Sequence, residues 1–280
     1  MMIQITMARD ESVLIKELLP LWSRFADGFI FCLDSTTDDS KEYLESVKEK
    51  YNILEIIENE RTDTNLAVET DIRQKLFDIA LKYSNKIISL DADEYLDGSI
   101  TKEQLENFLD SEKEILCHLQ WIQYTDKNHI RTDGPWKTNF KEFIGCYQGP
   151  AKFNWAQFHS HRLPLLNNQK AIHSDYIFVA HLQWLSKLHV AIKQYYWKTM
   201  DYVNNKNFNV NIVGNSAYDA SVNNFNWQYS SFPYELKIDP DIYNKVSIQE
   251  SYKFKEIKRL TEKYQIPNLG DWGYDVLNIH

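Results

Sequence analysis

Four acidic residues lie within seven positions, directly after an apolar run, in the segment NKIISLDADEYLDG at 85–98. Asp91, Asp93 and Glu94 form the densest part of this group. Carboxylate oxygens suit Mg²⁺ or Mn²⁺, and these ions commonly complete their coordination shells with substrate phosphates and water. An Asp-x-Asp pattern alone is weak evidence in a chain with 40 acidic residues, because a solvated strand end has the same composition.

The composition limits the classes of partner. The chain has 280 residues, of which 43% are hydrophobic, so it can build one large core or two small ones. Its 31 Lys and Arg residues against 40 Asp and Glu give a formal net charge of −9, and no basic stretch is dense enough to follow a phosphate backbone. We therefore do not expect nucleic acid as a partner. An anionic ligand would need a metal ion or a few well-placed donors.

The expected cellular compartment rests on signal-peptide features and on long apolar runs. The N-terminal segment MMIQITMARDESVLI has no signal-peptide features, and no apolar run approaches the length of a spanning helix. We expect a cytoplasmic protein, with peripheral association at the inner face of the membrane left open. The three cysteines, Cys32, Cys117 and Cys146, are widely spaced in apolar surroundings, so we expect reduced core thiols.

Strands and helices alternate in the first hundred residues. The hydrophobic periodicity predicts strands at 3–6, 28–34, 52–58 and 86–96, each of the first three followed by a helix. This order predicts a parallel sheet that binds ligands beyond the carboxyl ends of its strands. Asp34 and the Asp91 to Glu94 cluster both lie at such ends. Because side chains two apart on a strand point the same way, Asp91 and Asp93 should converge on one ligand while Ala92 packs on the other side.

The second half has less regular patterning. It predicts a helix near 101–114, a strand at 115–124, a loop-rich stretch to about 178, and helices at 185–205 and 247–266. We expect one domain over residues 1–205 and a C-terminal extension over 206–280 that is loop-rich and then helical. The last helix could pack on the domain or on a second subunit, which leaves the oligomeric state open.

The order of segments in the first half resembles a known family. The segments are ITMARDESVLIKELLPLW, ADGFIFCLDSTTDDS, a helix that contains Arg73, and IISLDADEYL. Together they resemble the nucleotide-sugar-binding half of a family-two-like glycosyltransferase with the GT-A fold. The resemblance implies an α/β fold with a Rossmann-like, mostly parallel central sheet flanked by helices. Residues 1–100 would form the nucleotide-sugar-binding half and residues 101–205 the acceptor half.

The resemblance also implies a donor site. It predicts a nucleoside diphosphate sugar as donor, Mn²⁺ or Mg²⁺ as cofactor, and Asp93 as a metal ligand. For Glu94 the ordinary structural reading is that it only supports the metal ligands, without binding the metal itself. Met7, Ala8 and Arg9 would line the base pocket, and Asp34 would bind base or ribose. Arg73 would contact the diphosphate and Asp91 would face the ribose, and Ala92 completes the nucleotide-sugar-binding set.

Two of these residues have equally ordinary structural explanations. Asp34 could cap the helix that follows its strand, a common role for Asp in a strand-to-helix turn. Arg73 lies among charged neighbours on a predicted helix, so a surface ion pair is an alternative to a diphosphate contact.

A second segment, AIHSDYIFVAHLQWLSKLHVAIKQYYW at 171–197, is similar to one in bacterial members of the family. There, a V-H-E sequence supplies a catalytic base, and a later His binds metal or touches the diphosphate. Ser174 stands here at the position of the Glu, so Asp175 is the candidate base, with Asp133 and Glu142 ranked below it. His181 matches the later His and could equally be a hydrogen-bonded core residue. Imidazole favours Mn²⁺ over Mg²⁺.

Aromatic and histidine residues suggest acceptor contacts. Trp136 in TDGPWKT lies in a predicted loop, where its ring could stack on an acceptor sugar. His159 and His161 in FHSHRL alternate on one side of an extended segment. Without a carboxylate or Cys at ligand spacing they are better explained as polar or acceptor-contacting residues than as a metal pair.

These patterns favour a metal-dependent, inverting glycosyltransferase of bacterial surface glycan synthesis, acting on a glycan, lipid-linked or other hydroxyl acceptor. Two alternatives are a nucleotidyltransferase and a non-catalytic carbohydrate-binding protein. The first usually has a Gly-rich basic loop after its first strand, whereas MARDES has no glycine. The second would not explain the acidic strand ends. An Asp-nucleophile phosphohydrolase would need its Asp-x-Asp after the first strand, and here it follows the fourth.

Overall fold

A computed structural model of the protein describes residues 1–61, 69–112, 114–137, 139–154, 160–167, 169–171, 176–204, 218, 222 and 225–269. Its contacts divide the chain into two compact units. The first comprises residues 1–123 and 135–182, and the second comprises 124–134 and 183–280. This division differs from the boundary expected at residue 205, because the helix at 187–204 packs against the last helix rather than closing the first unit.

The helices and strands of the described residues follow the predicted alternation at first and become mixed later. The helices are α1 (Ser12–Trp22), α2 (Ser40–Ser46), α3 (Lys48–Tyr51), α4 (Glu69–Ala80), α5 (Lys102–Ser111), α6 (Lys187–Asn204) and α7 (Tyr252–Tyr264). The strands are β1 (Ile3–Ala8), β2 (Gly28–Asp34), β3 (Ile53–Asn59), β4 (Lys86–Ser89), β5 (Glu94–Gly98), β6 (Ile115–Gln123), β7 (His129–Arg131), β8 (Phe140–Cys146), β9 (Gln169–Ala171), β10 (Ile177–His181) and β11 (Tyr229–Ser231).

The first unit contains one large, mixed sheet. Its described strands run in the order β3-β2-β1-β4-β8-β6-β10-β5, with β9 beside β6. The pairs among β3, β2, β1 and β4 are parallel, whereas β8 is antiparallel to both of its neighbours and β5 is antiparallel to β10. The predicted α/β fold with a mostly parallel sheet flanked by helices is therefore confirmed. The strand order reverses between β1 and β4, the kind of position where open α/β sheets bind ligands.

Two helices cover opposite sides of the parallel strands. Strand β2 is buried on both sides, as its continuous apolar sequence predicts. Ile30 and Cys32 pack in a cluster with Phe77 of α4, while Phe31 lies 6.1 Å from the ring of Trp22 at the end of α1. The expectation of core thiols is consistent with the buried positions of Cys32, Cys117 and Cys146.

The predicted fourth strand, 86–96, is wrong as a single element. It divides into β4 and β5, because the chain turns at Asp91, whose carbonyl accepts a hydrogen bond from the Glu94 amide at 3.1 Å. Asp91 and Asp93 therefore lie on a turn and do not alternate along a strand. Ala92 is fully buried in this turn. The run ISLDADEYL is apolar enough on both sides of the turn that periodicity alone does not reveal the break.

The second unit combines a small sheet with a helix pair. Strands β7 and β11 pair in antiparallel fashion. Helix α7 buries Phe254, Ile257 and Leu260 and packs on α6, with the rings of Tyr196 and Tyr252 meeting edge to face at 5.8 Å. Across the described part of the chain, no helix combines the length and apolar character needed to span a membrane.

Gly98 at the end of β5 provides a test of this edge of the sheet. Its φ of +136° is a conformation that other residues rarely adopt, and an added Cβ would lie 2.1 Å from the Tyr176 carbonyl oxygen. We expect Gly98→Ala to lower the free energy of unfolding by about 2–4 kcal/mol in urea denaturation. Gly149→Ala is the matched control, because a Cβ there would meet nothing within 4 Å. Equal stability of the two variants would contradict this description of the edge.

Candidate functional site

The candidate site lies at the carboxyl end of the parallel strands, where the strand order reverses. Arg9 directly follows β1, and Asp91 lies two residues after β4. These two strands are neighbours, with Ile5 paired with Ser89. Loops that leave adjacent strands in opposite directions open a crevice between them, so the position agrees with the ligand site of other doubly wound sheets.

A buried arginine holds the acidic turn together. The guanidinium of Arg162 donates one hydrogen bond to the Asp91 carboxylate and another to the Glu94 carboxylate. The second Glu94 oxygen accepts a hydrogen bond from the Asp91 backbone amide at 2.8 Å. Both Arg162 and Glu94 are buried. The turn is thus closed by a charge-assisted bridge rather than by strand pairing.

A second arginine binds the other oxygen of Asp91. The Nη2 atom of Arg73 on α4 lies 2.8 Å from Asp91 Oδ1, and its Nε donates to Glu69 at 3.0 Å and to the Ser160 hydroxyl at 3.1 Å. Arg73 is only 2% exposed. The sequence analysis offered a surface ion pair as the alternative role of Arg73, and its location is wrong. The ion pair is internal, and it holds Asp91 from the side of α4.

The charges of the site act on one another strongly. Burial alone would raise the pKa of Asp91, but Arg162 and Arg73 outweigh it and hold that pKa well below its usual range. Burial raises the pKa of Glu94 to about 7, with Asp91 and Asp93 acting in the same direction and Arg162 opposing them. Burial also lowers the pKa of Lys141 to about 8, reinforced by Arg162. The site therefore keeps Asp91 ionised within a cluster of closely balanced charges.

His181 lies in a row of cross-strand neighbours. Strand pairing places it beside Gln123 of β6 on one side and beside Glu94 of β5 on the other. The side-chain amide of Gln123 donates to the Trp121 carbonyl at 3.0 Å, so its oxygen is turned towards His181 Nδ1. Nδ1 therefore carries the proton in the neutral imidazole, and Nε2 presents a lone pair.

That lone pair faces a carboxylate. His181 Nε2 lies 3.3 Å from Asp93 Oδ2, and both groups are buried. In the neutral ring with its proton on Nδ1 both atoms are acceptors, and a cation between them would stabilise the arrangement; with both ring nitrogens protonated, the same contact is an ion pair. Asp93, Glu94 and His181 each offer a ligand atom, all within 4.8 Å of one another.

The residues present fit a divalent ion. Two adjacent ligand atoms on an octahedral ion are about 3.0 Å apart, close to the 3.3 Å between Asp93 and His181. Both oxygens of Glu94 are already engaged by Arg162 and by the Asp91 amide. Asp93 and His181 are therefore the better ligands, with Glu94 in the predicted supporting position. A carboxylate with an imidazole suits Mn²⁺.

Aromatic rings and a lysine flank the histidine. The indole of Trp121 stacks on the His181 ring at 4.3 Å between centroids and 22° between planes. Lys141 Nζ lies 4.1 Å from the centroid of the Trp121 ring; Lys141 belongs to β8 and Trp121 to β6. Trp136, the predicted acceptor contact, is half-buried and lies 6.4 Å from Trp121. The structure thus brings Trp136 into the neighbourhood of His181 through one intervening ring.

The residues predicted for the base pocket lie at the same edge but differ in exposure. Met7 packs against the core cluster and Ala8 is buried, so Arg9 is the one of the three placed beyond the strand. Asp34 does not cap the next helix through its side chain. Its carboxylate accepts hydrogen bonds from the Asn59 amide at 2.7 Å and from Arg61.

Two of the three candidate bases, Glu142 and Asp133, are among the described residues. Asp175 and His159 lie outside the described residues. Glu142 in the first unit accepts hydrogen bonds from His161 Nδ1 and from the Arg162 amide, both at 2.8 Å. Asp133 belongs to the second unit, where Arg131 binds both of its oxygens at 2.6 and 2.7 Å. Its carboxylate is thus occupied by a structural partner.

Sequence reasoning missed several residues of this site: Gln123, Trp121, Lys141 and Arg162. A weak signal existed for the first two, because alternate positions on β6 share one side of the sheet and HLQWIQ alternates in this way. No local pattern identifies Arg162. It lies 71 positions from Asp91 and meets that residue only through the tertiary fold.

Comparisons with known proteins give little further information. No protein-family model and no curated protein sequence matches the chain. Among solved structures it is similar to HddC from Yersinia pseudotuberculosis, with 12% identity and a TM-score of 0.33 over 65% of this chain and 94% of that one. It is also similar to a nucleoside-diphosphate-sugar pyrophosphorylase from Vibrio cholerae RC9, with 11% identity and a TM-score of 0.28. That match covers 48% of this chain and 61% of the Vibrio chain, less than two thirds of its length. Likenesses this weak do not assign a function.

Removing the bridging arginine tests the architecture of the site. Arg162→Ala leaves the buried Glu94 carboxylate and the partly exposed Asp91 carboxylate without their shared partner, so we expect the free energy of unfolding to fall by about 3–5 kcal/mol. Arg162→Lys should recover only part of this loss, because an ammonium lacks the planar fork that reaches both carboxylates.

The matched control is Arg259→Ala, which breaks an exposed ion pair with Glu256 and should change stability by less than about 1 kcal/mol. Urea denaturation of the three variants at neutral pH measures the difference. Equal loss in Arg162→Ala and Arg259→Ala would contradict a bridging role for Arg162.

Proposed function

We propose that the protein is a metal-dependent glycosyltransferase of the GT-A type that moves a sugar from a nucleoside diphosphate sugar to an acceptor hydroxyl. One observation carries the proposal. Asp93 and His181 present two facing ligand atoms 3.3 Å apart beside an acidic turn at the switch point of an α/β sheet. In the family that the first hundred residues resemble, the Asp-x-Asp binds the ribose and the metal-bound diphosphate of the donor.

The electrostatics of the site support an anionic donor. Arg73, Arg162 and Lys141 place three cations around the acidic turn. Held by Asp93 and His181, Mn²⁺ or Mg²⁺ would add the positive charge that neutralises a departing diphosphate. Lys141 is suited to contact the donor, because its ammonium lies over the Trp121 ring, whereas Arg73 and Arg162 form ion pairs with Asp91. Asp91 holds Arg73 and Arg162 in place, and its side chain remains partly exposed towards the crevice.

The acceptor chemistry needs a base. In an inverting transfer a carboxylate takes the proton of the acceptor hydroxyl as that oxygen attacks the anomeric carbon. Asp175 is the candidate that the family resemblance favours. Glu142 is the described alternative, and it would act through His161, whose ring is 43% exposed while its Nδ1 is bonded to Glu142. Bacterial surface glycan synthesis, with a glycan or lipid-linked acceptor, remains the biological setting that the resemblance suggests.

A thermal-shift panel tests the donor site. UDP, GDP, CDP and ADP are each added with Mn²⁺, Mg²⁺ or EDTA to wild type, Asp93→Asn and the control Asp110→Asn, which changes an exposed carboxylate on α5. At a concentration of 100 times Kd, the correct nucleotide should stabilise the fold by about 2.7 kcal/mol, a rise in Tm of roughly 5–10 °C.

We expect this rise for one nucleotide, only with metal, in wild type and Asp110→Asn, and its loss in Asp93→Asn. A metal-dependent rise that persists in Asp93→Asn would refute the assigned ligand. No rise with any nucleotide would favour the non-catalytic carbohydrate-binding alternative. Hydrolysis of the matching nucleotide sugar without acceptor then separates an enzyme from a binding protein.

A further inference from the structure

The second unit contains a cavity that the proposed donor site does not use. Its volume is about 400 Å³, within the range of small-molecule sites. The lining residues on which the inference depends are Asp126, His129, Trp184, Lys187, Trp227 and Tyr229. All six belong to the second unit, and none was assigned a role from the sequence.

The aromatic wall of the cavity is held rigidly. The indoles of Trp184 and Trp227 meet edge to face, 5.2 Å apart and at 88°. The guanidinium of Arg131 lies 4.4 Å from the first ring centroid and 5.1 Å from the second, and Asp133 fixes it through two hydrogen bonds. Because the buried Arg131 guanidinium contacts both rings and is held by two hydrogen bonds, the wall keeps its shape without a ligand.

One aromatic ring is available at the opening. Tyr229 lies directly opposite Arg131 in the β7–β11 pair, on the same side of the small sheet. It is 52% exposed and lines the cavity together with Trp184 and Trp227. Its ring can cover one face of a bound molecule, whereas the indoles of Trp184 and Trp227 are buried and support the wall behind it.

The polar rim is also preorganised. The Asp126 carboxylate accepts hydrogen bonds from the amides of Asn128 and His129, at 2.8 and 2.9 Å, and from the His129 ring at 3.0 Å. Burial alone would raise the pKa of Asp126, but these hydrogen bonds outweigh it and lower that pKa. An ionised, immobile acceptor therefore stands beside the rings, with the exposed Lys187 as a donor.

We propose that this cavity binds a sugar ring of a carbohydrate ligand. A pyranose presents apolar C–H surface to aromatic rings and hydroxyl groups to a carboxylate, an imidazole and an ammonium, which are the groups assembled here. A purely apolar ligand would desolvate the Asp126 carboxylate without offering it a further donor, and an anionic ligand would meet its charge. The role of the bound sugar as acceptor rests on the proposed function, whereas sugar binding itself does not.

Saturation-transfer NMR tests the proposal with the methyl glycosides of glucose, galactose, mannose and N-acetylglucosamine at millimolar concentration. We expect at least one glycoside to show saturation transfer with wild type. Tyr229→Ala should raise its Kd about tenfold, whereas Tyr229→Phe, which keeps the ring, should stay within about threefold of wild type. The matched control is Tyr264→Ala, which removes an exposed tyrosine from α7 and should bind as wild type does.

Two results would overturn the proposal: no glycoside signal with wild type, or equal affinity of wild type and a Tyr229→Ala variant whose Tm is unchanged. The thermal-shift response to nucleotide and metal separates this inference from the donor site. It should be the same in Tyr229→Ala as in wild type. Glycoside binding without any nucleotide response would count against the proposed transferase and leave the sugar site standing.

Discussion

The bridge from Arg162 to Asp91 and Glu94 is the interaction on which the site depends. Three carboxylates at one turn would repel one another, and a buried carboxylate without a partner is strongly destabilised. One guanidinium bonded to two of them, with Arg73 on the remaining oxygen of Asp91, makes the turn possible. The third carboxylate, Asp93, faces His181, with its Oδ2 atom 3.3 Å from Nε2. The bridge thus separates the two carboxylates that hold the turn from Asp93, which faces His181.

The charge balance explains how an acidic protein could bind an acidic donor. Glu69, Asp91, Asp93 and Glu94 face Arg73, Lys141 and Arg162, so the cluster carries a small negative excess. A divalent ion at Asp93 and His181 would reverse that sign locally, and at short range this outweighs the net charge of −9 on the whole chain. Donor binding and metal binding are therefore expected to depend on each other, which is why the two are varied together in the proposed experiments.

Local patterns predicted the part of the fold that depends on periodicity. The first three strands, the helices between them and the long strand β6 follow from apolar runs and alternation, and the acidic rim follows from strand ends. The break between β4 and β5 could not be predicted, because its cause is a hydrogen bond from the Asp91 amide to Glu94 and a bridge from Arg162. Asp34 illustrates a similar limit. Its position was predicted, but its partner Arg61 comes from the end of a different strand. The positions of residues at strand ends can thus be predicted from the sequence, whereas their side-chain partners are set by tertiary contacts.

Pulsed electron paramagnetic resonance of bound Mn²⁺ tests whether His181 is a metal ligand, because the nuclear modulation of the electron spin echo detects a coordinated imidazole nitrogen. We expect one Mn²⁺ per chain with nitrogen modulation in wild type, and loss of that modulation in His181→Gln, a variant that keeps a polar side chain beside Gln123. His161→Gln changes a histidine bonded to Glu142 and should leave the modulation intact. Bound Mn²⁺ without nitrogen modulation in wild type, or modulation that survives in His181→Gln, would contradict the assignment of Asp93 and His181 as the metal site.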